Sequence, residues 1–447
     1  MWMTDLHSKI YGVISLGCDK NRVDSEKLLA IIRANGCTVS NELEDVQVLV
    51  VNTCAFLNSA RREAIETVLD CAAYKNGRLE KLVITGCLPQ KYVQETFPEL
   101  TEADVFLGIN DYDRFFEALQ LSYEGQRVNF VGKGDNSKAT DRVLTTPCHY
   151  AYLKIADGCN NYCTYCLIPK IRGRYVSYPM EQLVEEATAL GDISELILVA
   201  QDVTRYGADL YGKKSIVELI KKLTALENIG SVRLLYCYPD AITDELIAEM
   251  RDNPKVIKYI DIPLQHSEDR ILKLMNRKGS RAEYLSLIAR LRSEIPGIAI
   301  RSTFICGFPT ETEEEAEALG AFLGEAQLTN CGFFAYSREP DTAAFKLKGQ
   351  IAQSVKNRRV KKLYAIQGEV SHRYLSEFIG KRITVLCDGI DYERGCFVGR
   401  ACFQAPEIDG KIYFNCPEAV QGEYYDVVID NCNQYDLFGH TPDYTEE

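Results

Sequence analysis

Cys159, Cys163 and Cys166 fall within nine residues, "GCNNYCTYC". Three cysteines on one turn can be zinc ligands, part of a disulfide knot, or ligands to a group that keeps one coordination position open. Zinc sites usually take four protein ligands, often in pairs. No second pair lies nearby, and Cys148 and Cys237 stand alone in the sequence. CxxxCxxC spacing suits instead three corners of a cubane iron–sulfur cluster whose fourth iron has no protein ligand. Such an iron can chelate a small molecule.

A second set of three is spread more widely. Cys18, Cys54 and Cys87 end the stretches "SLGC", "VNTC" and "ITGC", each just past a strand-like run. In an open parallel sheet the loops beyond the carboxyl ends of the strands converge on one crevice, so these three are expected to meet. The plainer alternative is three buried thiols that cap strands. Cys37 and Cys71 do not share the placement. Cys387, Cys396, Cys402, Cys416 and Cys432 have no metal-type spacing and read as apolar fillers of a small barrel.

The elements that must position these residues form three blocks. Over residues 8–122, "YGVISLGC", "VQVLVVNTC" and "EKLVITGCL" alternate with helical patterns such as "SARREAIETVLDCAAYK". That alternation predicts a parallel α/β sheet. Residues 123–147 are polar, with Gly and Pro, and read as a linker. Over 148–372 the alternation restarts with six strand–helix units, from "YAYLKIAD" to "NCGFFAYS". A full eight-unit barrel needs two more, so a partial (βα)6 barrel is expected. Residues 373–440 change to short Tyr-, Val- and Ile-rich alternating runs split by Gly, Pro and Asp, which predict a small antiparallel β-barrel.

Composition narrows the setting. With 46% apolar and 26% charged residues the chain is globular, and no apolar run approaches the roughly 20 residues that span a bilayer. The N-terminal stretch lacks a basic region followed by an apolar one, so no signal peptide is read and a cytoplasmic location is expected. In a reducing compartment 17 cysteines point to metal ligation or buried thiols rather than a disulfide framework. The net charge of −13 argues against stable nucleic-acid binding and for a basic partner.

With both cysteine sets in view, the chain resembles the radical S-adenosylmethionine (SAM) superfamily, and over nearly its whole length the methylthiotransferase family, whose C-terminal module is called TRAM. "SLGCDKNRVDSE", "LVAQDVTRYG", "DIPLQHSEDRILKLMNR", "RSTFICGFPTET" and "APEIDG" are similar to the RimO branch. One motif departs: "RGRYVSYP" has Val176 and Tyr178 where the family's RGxxRSRP has arginines.

The resemblance implies two 4Fe-4S clusters, on Cys159, Cys163 and Cys166 and on Cys18, Cys54 and Cys87, with SAM on the open iron of the first. It implies that Tyr165 packs by the SAM adenine. Gln201 and Asp202, at a strand end, are candidates for SAM or substrate contact, with a satisfied strand-end network as the alternative. Arg301 is a candidate for the SAM carboxylate, since the guanidinium fork matches a carboxylate. His266 is read as a hydrogen-bonded structural histidine as readily as a site residue. The implied reaction replaces the β-carbon C–H of an aspartate in ribosomal protein S-twelve with C–SCH3. One SAM methylates a cluster-bound sulfur, and a 5′-deoxyadenosyl radical from another abstracts hydrogen. A low-potential electron donor is required.

Two rivals remain at this point. TRAM-like barrels commonly bind RNA, which raises a tRNA adenosine methylthiotransferase. Residues 371–447, however, hold 6 Lys+Arg against 14 Asp+Glu, a net of −8, and such a barrel repels phosphates and attracts a basic polypeptide. The other rival is a non-catalytic iron–sulfur carrier or scaffold. Carriers close their clusters with four ligands, whereas each set here has three.

Overall fold

The computed structural model describes residues 5–132 and 141–445. These fall into two compact units. One holds residues up to Thr145, with Tyr152–Tyr162 and Cys166–Leu190; the other holds Thr146–Ala151, Cys163–Tyr165 and the chain from Gly191 onward.

In the first unit β1 (Ile10–Ser15), β2 (Thr38–Val39), β3 (Val48–Thr53), β4 (Lys81–Gly86), β5 (Val105–Leu107) and β6 (Val128–Phe130) form one sheet, ordered β2-β1-β3-β4-β5-β6. All its pairings are parallel. Its connecting helices are α1 (Asp19–Ala34), α2 (Asn58–Ala72), α3 (Cys87–Glu99) and α4 (Phe115–Tyr123). Both faces of the sheet are covered, so β3 reads "VLVVNT" and is buried along its length, as a central parallel strand must be.

The described residues of 123–147 make more contacts than their polar composition predicts. It contributes β6, and Arg142, Val143 and Thr145 all bond Glu26. Arg142 also donates to Glu186 at 2.9 Å. Sequence pattern missed this because a three-residue strand and a buried arginine carry no periodicity. Residues 133–140 of the linker reading lie outside the described residues.

The central block supplies β7 (Tyr150–Lys154), the two-stranded hairpin β8 (Ala156–Asp157) and β9 (Val176–Ser177), and β10 (Ile193–Val199). It continues with β11 (Ile229–Leu234), β12 (Val256–Asp261), β13 (Ala299–Cys306) and β14 (Asn330–Ala335). A six-stranded sheet runs β14-β13-β12-β11-β10-β7, with β7 at one edge. This is the expected half-barrel, open rather than closed. The helices are α5 (Ile168–Ile171), α6 (Met180–Ala189), α7 (Ile216–Thr224), α8 (Asp244–Asp252), α9 (Asp269–Leu274), α10 (Arg281–Glu294), α11 (Glu313–Ala326) and α12 (Gln353–Ser376).

The C-terminal barrel is closed in the order β15-β16-β17-β19-β18 by β15 (Arg382–Asp391), β16 (Cys396–Arg400), β17 (Ile412–Asn415), β18 (Tyr424–Cys432) and β19 (Leu437–His440). One closing pair, β17 with β19, is parallel rather than antiparallel. Within the second unit a buried ionic chain ties this barrel to the half-barrel. Glu195 on β10 bonds Arg233 at 2.5 Å and Arg400 at 2.7 Å. Arg400 bonds Asp388 at 2.8 Å, and Asp388 bonds His149 at 2.8 Å. Among the described residues no helix is long and apolar enough to cross a membrane.

Candidate active site

The three N-terminal cysteines sit where parallel topology predicts. Cys18 caps α1 beyond β1, Cys54 follows β3, and Cys87 opens α3 directly after β4. They converge: a Cβ on Gly17 would lie 2.8 Å from Cys54 Cβ and 3.3 Å from its sulfur, and a thiolate at Cys18 would push up both Cys54 and Cys87. Gly17 and Gly86 carry φ of 94° and 93°, which lets both turns pass so close. Cys18 is exposed and Cys87 buried. Burial pushes the Cys87 thiol up to about 12, against the pull of Arg172. Its ionisation therefore waits for a bound cationic group, as metal-bound thiols do.

The other triplet lies on the loop between β8 and β9. Asp157 and Arg172 flank it and pair at 2.8 Å, with Cys159 N–H donating to Gly173 O at 3.2 Å. Gly158 has φ 72°, and a Cβ there would meet Arg174 O at 2.1 Å. Each sulfur meets a donor. Asn161 N–H reaches Cys159 Sγ at 3.5 Å and Ile168 N–H reaches Cys166 Sγ at 3.4 Å. Cys163 Sγ lies 3.7 Å from Tyr238 Oη and 3.9 Å from Arg277 Nη1. Donors aimed at sulfur stabilise thiolates and cluster sulfurs alike, so the donor set fits an iron–sulfur cluster. Among the described residues no three His, Cys, Asp or Glu side chains are grouped for a single metal ion.

Tyr165 packs against the small core of Ile271, Met275, Phe308, Tyr336 and Ala344. Gln201 lies just past the carboxyl end of β10, and Asp202 beside it is bonded to Thr204 and Arg205. His266 is fully buried, accepts Glu268 N–H at 3.0 Å and faces Glu311.

Arg301 has internal partners. It is the third residue of β13, near the amino end of the strand, and ion-pairs with Asp261 at 3.0 Å and Asp409 at 3.3 Å. Its Nη1 and Nε face two internal carboxylates, beside a cavity of about 470 Å³ that Phe334, Tyr364 and Gln367 also line.

Two arginines went unnoticed in the sequence. Arg277, 8% exposed, stacks 4.0 Å over Tyr238 and reaches Cys163. Arg172 reaches Cys87 Sγ at 3.9 Å, Asn21 at 2.6 Å and Asp24 at 3.1 Å. Their signal was their place in motif-like stretches, "LMNRK" and "KIRGR". Tyr178 is buried between two ammonium groups, Lys27 at 5.3 Å and Lys154 at 5.8 Å from its ring, whereas Val176 is 53% exposed.

Residues 153–323 match the radical SAM superfamily, 10–108 the family described as uncharacterized protein family UPF0004, and 379–441 the TRAM domain. The chain is similar in fold to the radical SAM methyltransferase TsrM of Kitasatospora setae, with TM-score 0.53 and 14% identity over 75% of this chain and 77% of that one. The fold and the cysteine loop thus define a radical SAM protein, a class that carries a 4Fe-4S cluster and SAM.

Closer relatives narrow this. The ribosomal protein uS12 methylthiotransferase RimO of Lachnoclostridium phytofermentans is 44% identical over 432 residues, 95% of this chain and 98% of that one. RimO of Thermoanaerobacter sp. (strain X514) is 43% identical over 96% of this chain and 99% of its own. The chain belongs to the RimO family of radical SAM methylthiotransferases.

Proposed function

We propose that this enzyme methylthiolates the β-carbon of an aspartate in ribosomal protein S-twelve, in the cytosol, and that it carries a second 4Fe-4S cluster on Cys18, Cys54 and Cys87. The observation that carries the second cluster is the convergence of those three cysteines on adjacent strand ends of one parallel sheet. The substrate reading is supported by relatives named for uS12 and by the net charge of −8 over residues 371–447, which suits a basic polypeptide. The segments 8–122, 148–372 and 373–440 are proposed as its three functional blocks.

Cluster and SAM, when bound, supply a radical able to break a C–H bond that no general base ionises. The chain holds and orients them. Cys159, Cys163 and Cys166 present three sulfurs on a loop whose two ends are locked by Asp157 and Arg172. Tyr165, fixed by its apolar neighbours, offers a ring for the adenine, and Gln201 stands at the strand end for a polar contact with SAM. Arg301 is left out of this set because Asp261 and Asp409 hold it.

The test is mass spectrometry of ribosomal protein S-twelve and of bulk tRNA from a strain lacking this gene. Loss of a methylthio group from the protein, with tRNA unchanged, is expected. Intact ribosomal protein with unmodified tRNA refutes the substrate.

A further inference from the structure

Arg172 belongs to the radical loop in sequence but to the other cysteine set in space. It caps α5, six residues after Cys166. Leu167, the N-cap of that short helix, and Ile171, its last residue, pack in the N-terminal core with Cys87, Leu88 and Ala55. This plants the guanidinium among Asn21, Asp24, Asp157 and Cys87. Nη1 is taken by Asp157 and Nη2 is shared by Asn21 Oδ1, Asp24 Oδ2 and Cys87 Sγ.

Cys87 is the sulfur for which charge is most costly, at 4% exposure. A cation 3.9 Å away in such low-dielectric surroundings acts strongly. Salt bridging alone does not account for the placement: Lys154 already pairs with both Asp24 and Asp157. What Arg172 adds is a donor facing the sulfur.

We propose that Arg172 is a positioning residue for the cluster of the Cys18, Cys54 and Cys87 site, donating to the Cys87 sulfur and raising the reduction potential of the cluster there. The proposal rests on the two-cluster reading above. Hydrogen bonds to cluster sulfurs and nearby positive charge both favour the reduced, more negative form. Arg172 thereby makes the second cluster easier to reduce than it would be without the arginine, and one short helix, α5, joins it in sequence to Cys166.

The experiment uses the full chain with Cys159, Cys163 and Cys166 changed to Ala, reconstituted with iron and sulfide, so that only the second cluster remains. A redox titration followed by electron paramagnetic resonance gives its midpoint potential. Arg172→Met is expected to lower it by a factor of at least ten in the one-electron equilibrium, about 59 mV. Arg172→Lys, which keeps the charge, is expected to restore more than half of that shift. An unmoved potential in Arg172→Met overturns the proposal.

Should Arg172→Met fail to fold, pulsed electron paramagnetic resonance of the same triple-alanine chain, with Arg172 kept and labelled with 15N-arginine, decides. A 15N coupling to the reduced cluster is expected, and its absence overturns the proposal. If the triple-alanine chain binds no cluster at all, the two-cluster reading has failed instead, and the proposal falls with it by a distinguishable result.

Discussion

Asp157 and Arg172, one on each side of the radical cysteine loop, pair at 2.8 Å with the arginine side chain 1% exposed. Burial would raise the Asp157 carboxyl, but Arg172 and Lys154 outweigh it and hold it well below the usual range. Removing one partner of such a pair leaves a buried charge uncompensated, at a cost of about 3–5 kcal/mol. Asp157→Asn should therefore lower the melting temperature of the apoprotein clearly, whereas cutting the exposed pair of Arg62 with Glu66 by Glu66→Gln should leave it nearly unchanged. Equal melting curves for the two variants would show that the loop is not locked this way.

The two cysteine sets should separate genetically. Cys159→Ala, Cys163→Ala or Cys166→Ala should abolish SAM cleavage. Cys18→Ala, Cys54→Ala or Cys87→Ala should leave 5′-deoxyadenosine formation while ending methylthio transfer, with bound iron falling by about half. Methylthiolation by any of the latter three sinks the division of labour.

Gly158 offers a backbone test of the same loop. Its φ of 72° and the 2.1 Å approach of Arg174 O to a would-be Cβ leave no room for alanine. Gly158→Ala should fold with an altered loop and lose the iron–sulfur absorbance of the first site; full absorbance would contradict the geometry.

The motif's two departures from the family pattern have opposite tolerances. Val176 is exposed, so Val176→Arg should change stability by no more than about 0.5 kcal/mol. Tyr178 lies between the Lys27 and Lys154 ammonium groups, and Tyr178→Arg would bury a third cation there, costing on the order of several kcal/mol. Thermal melts of the two variants read the difference directly.

Acid should loosen the joint of half-barrel and small barrel. Burial would raise the Glu195 carboxyl, yet Arg233 and Arg400 keep it below its ordinary value. Burial acts likewise on Asp388, and His149 and Arg400 keep it low. A depressed carboxylate contributes stability that is complete above its unfolded pKa, about 4 for these groups, and is lost as pH falls through the folded value. The melting temperature should drop below about pH 4, and Glu195→Gln should be less stable at neutral pH with a flatter acid limb. A parallel acid limb in the variant would remove Glu195 from the account.

Much of this was legible from the chain. Cys18, Cys54 and Cys87 could be placed because hydrophobic runs mark strands and topology fixes where their ends converge. The parallel sheets and the half-barrel followed from the same runs. Strand β19 was not legible: "LFGH" is four residues long and pairs in part through a parallel neighbour far away in sequence. Arg172 and Arg277 were missed for a related reason, since their partners are sulfurs 85 and 114 residues distant. Arg301 was read from its type alone, and its pairing with Asp261 and Asp409 was not legible because those carboxylates lie 40 and 108 residues away.

The packing of Leu167 and Ile171 among Leu88, Ala55 and Cys87 bears on how the chain is made. Synthesis proceeds from the N-terminus, and the sheet of β1 to β6 is complete by residue 130, yet one patch of its core waits for residues translated later. Until α5 leaves the ribosome, that patch is open to solvent and to chaperones. A fragment cut at residue 130 should bind a hydrophobic dye more strongly than the full chain does.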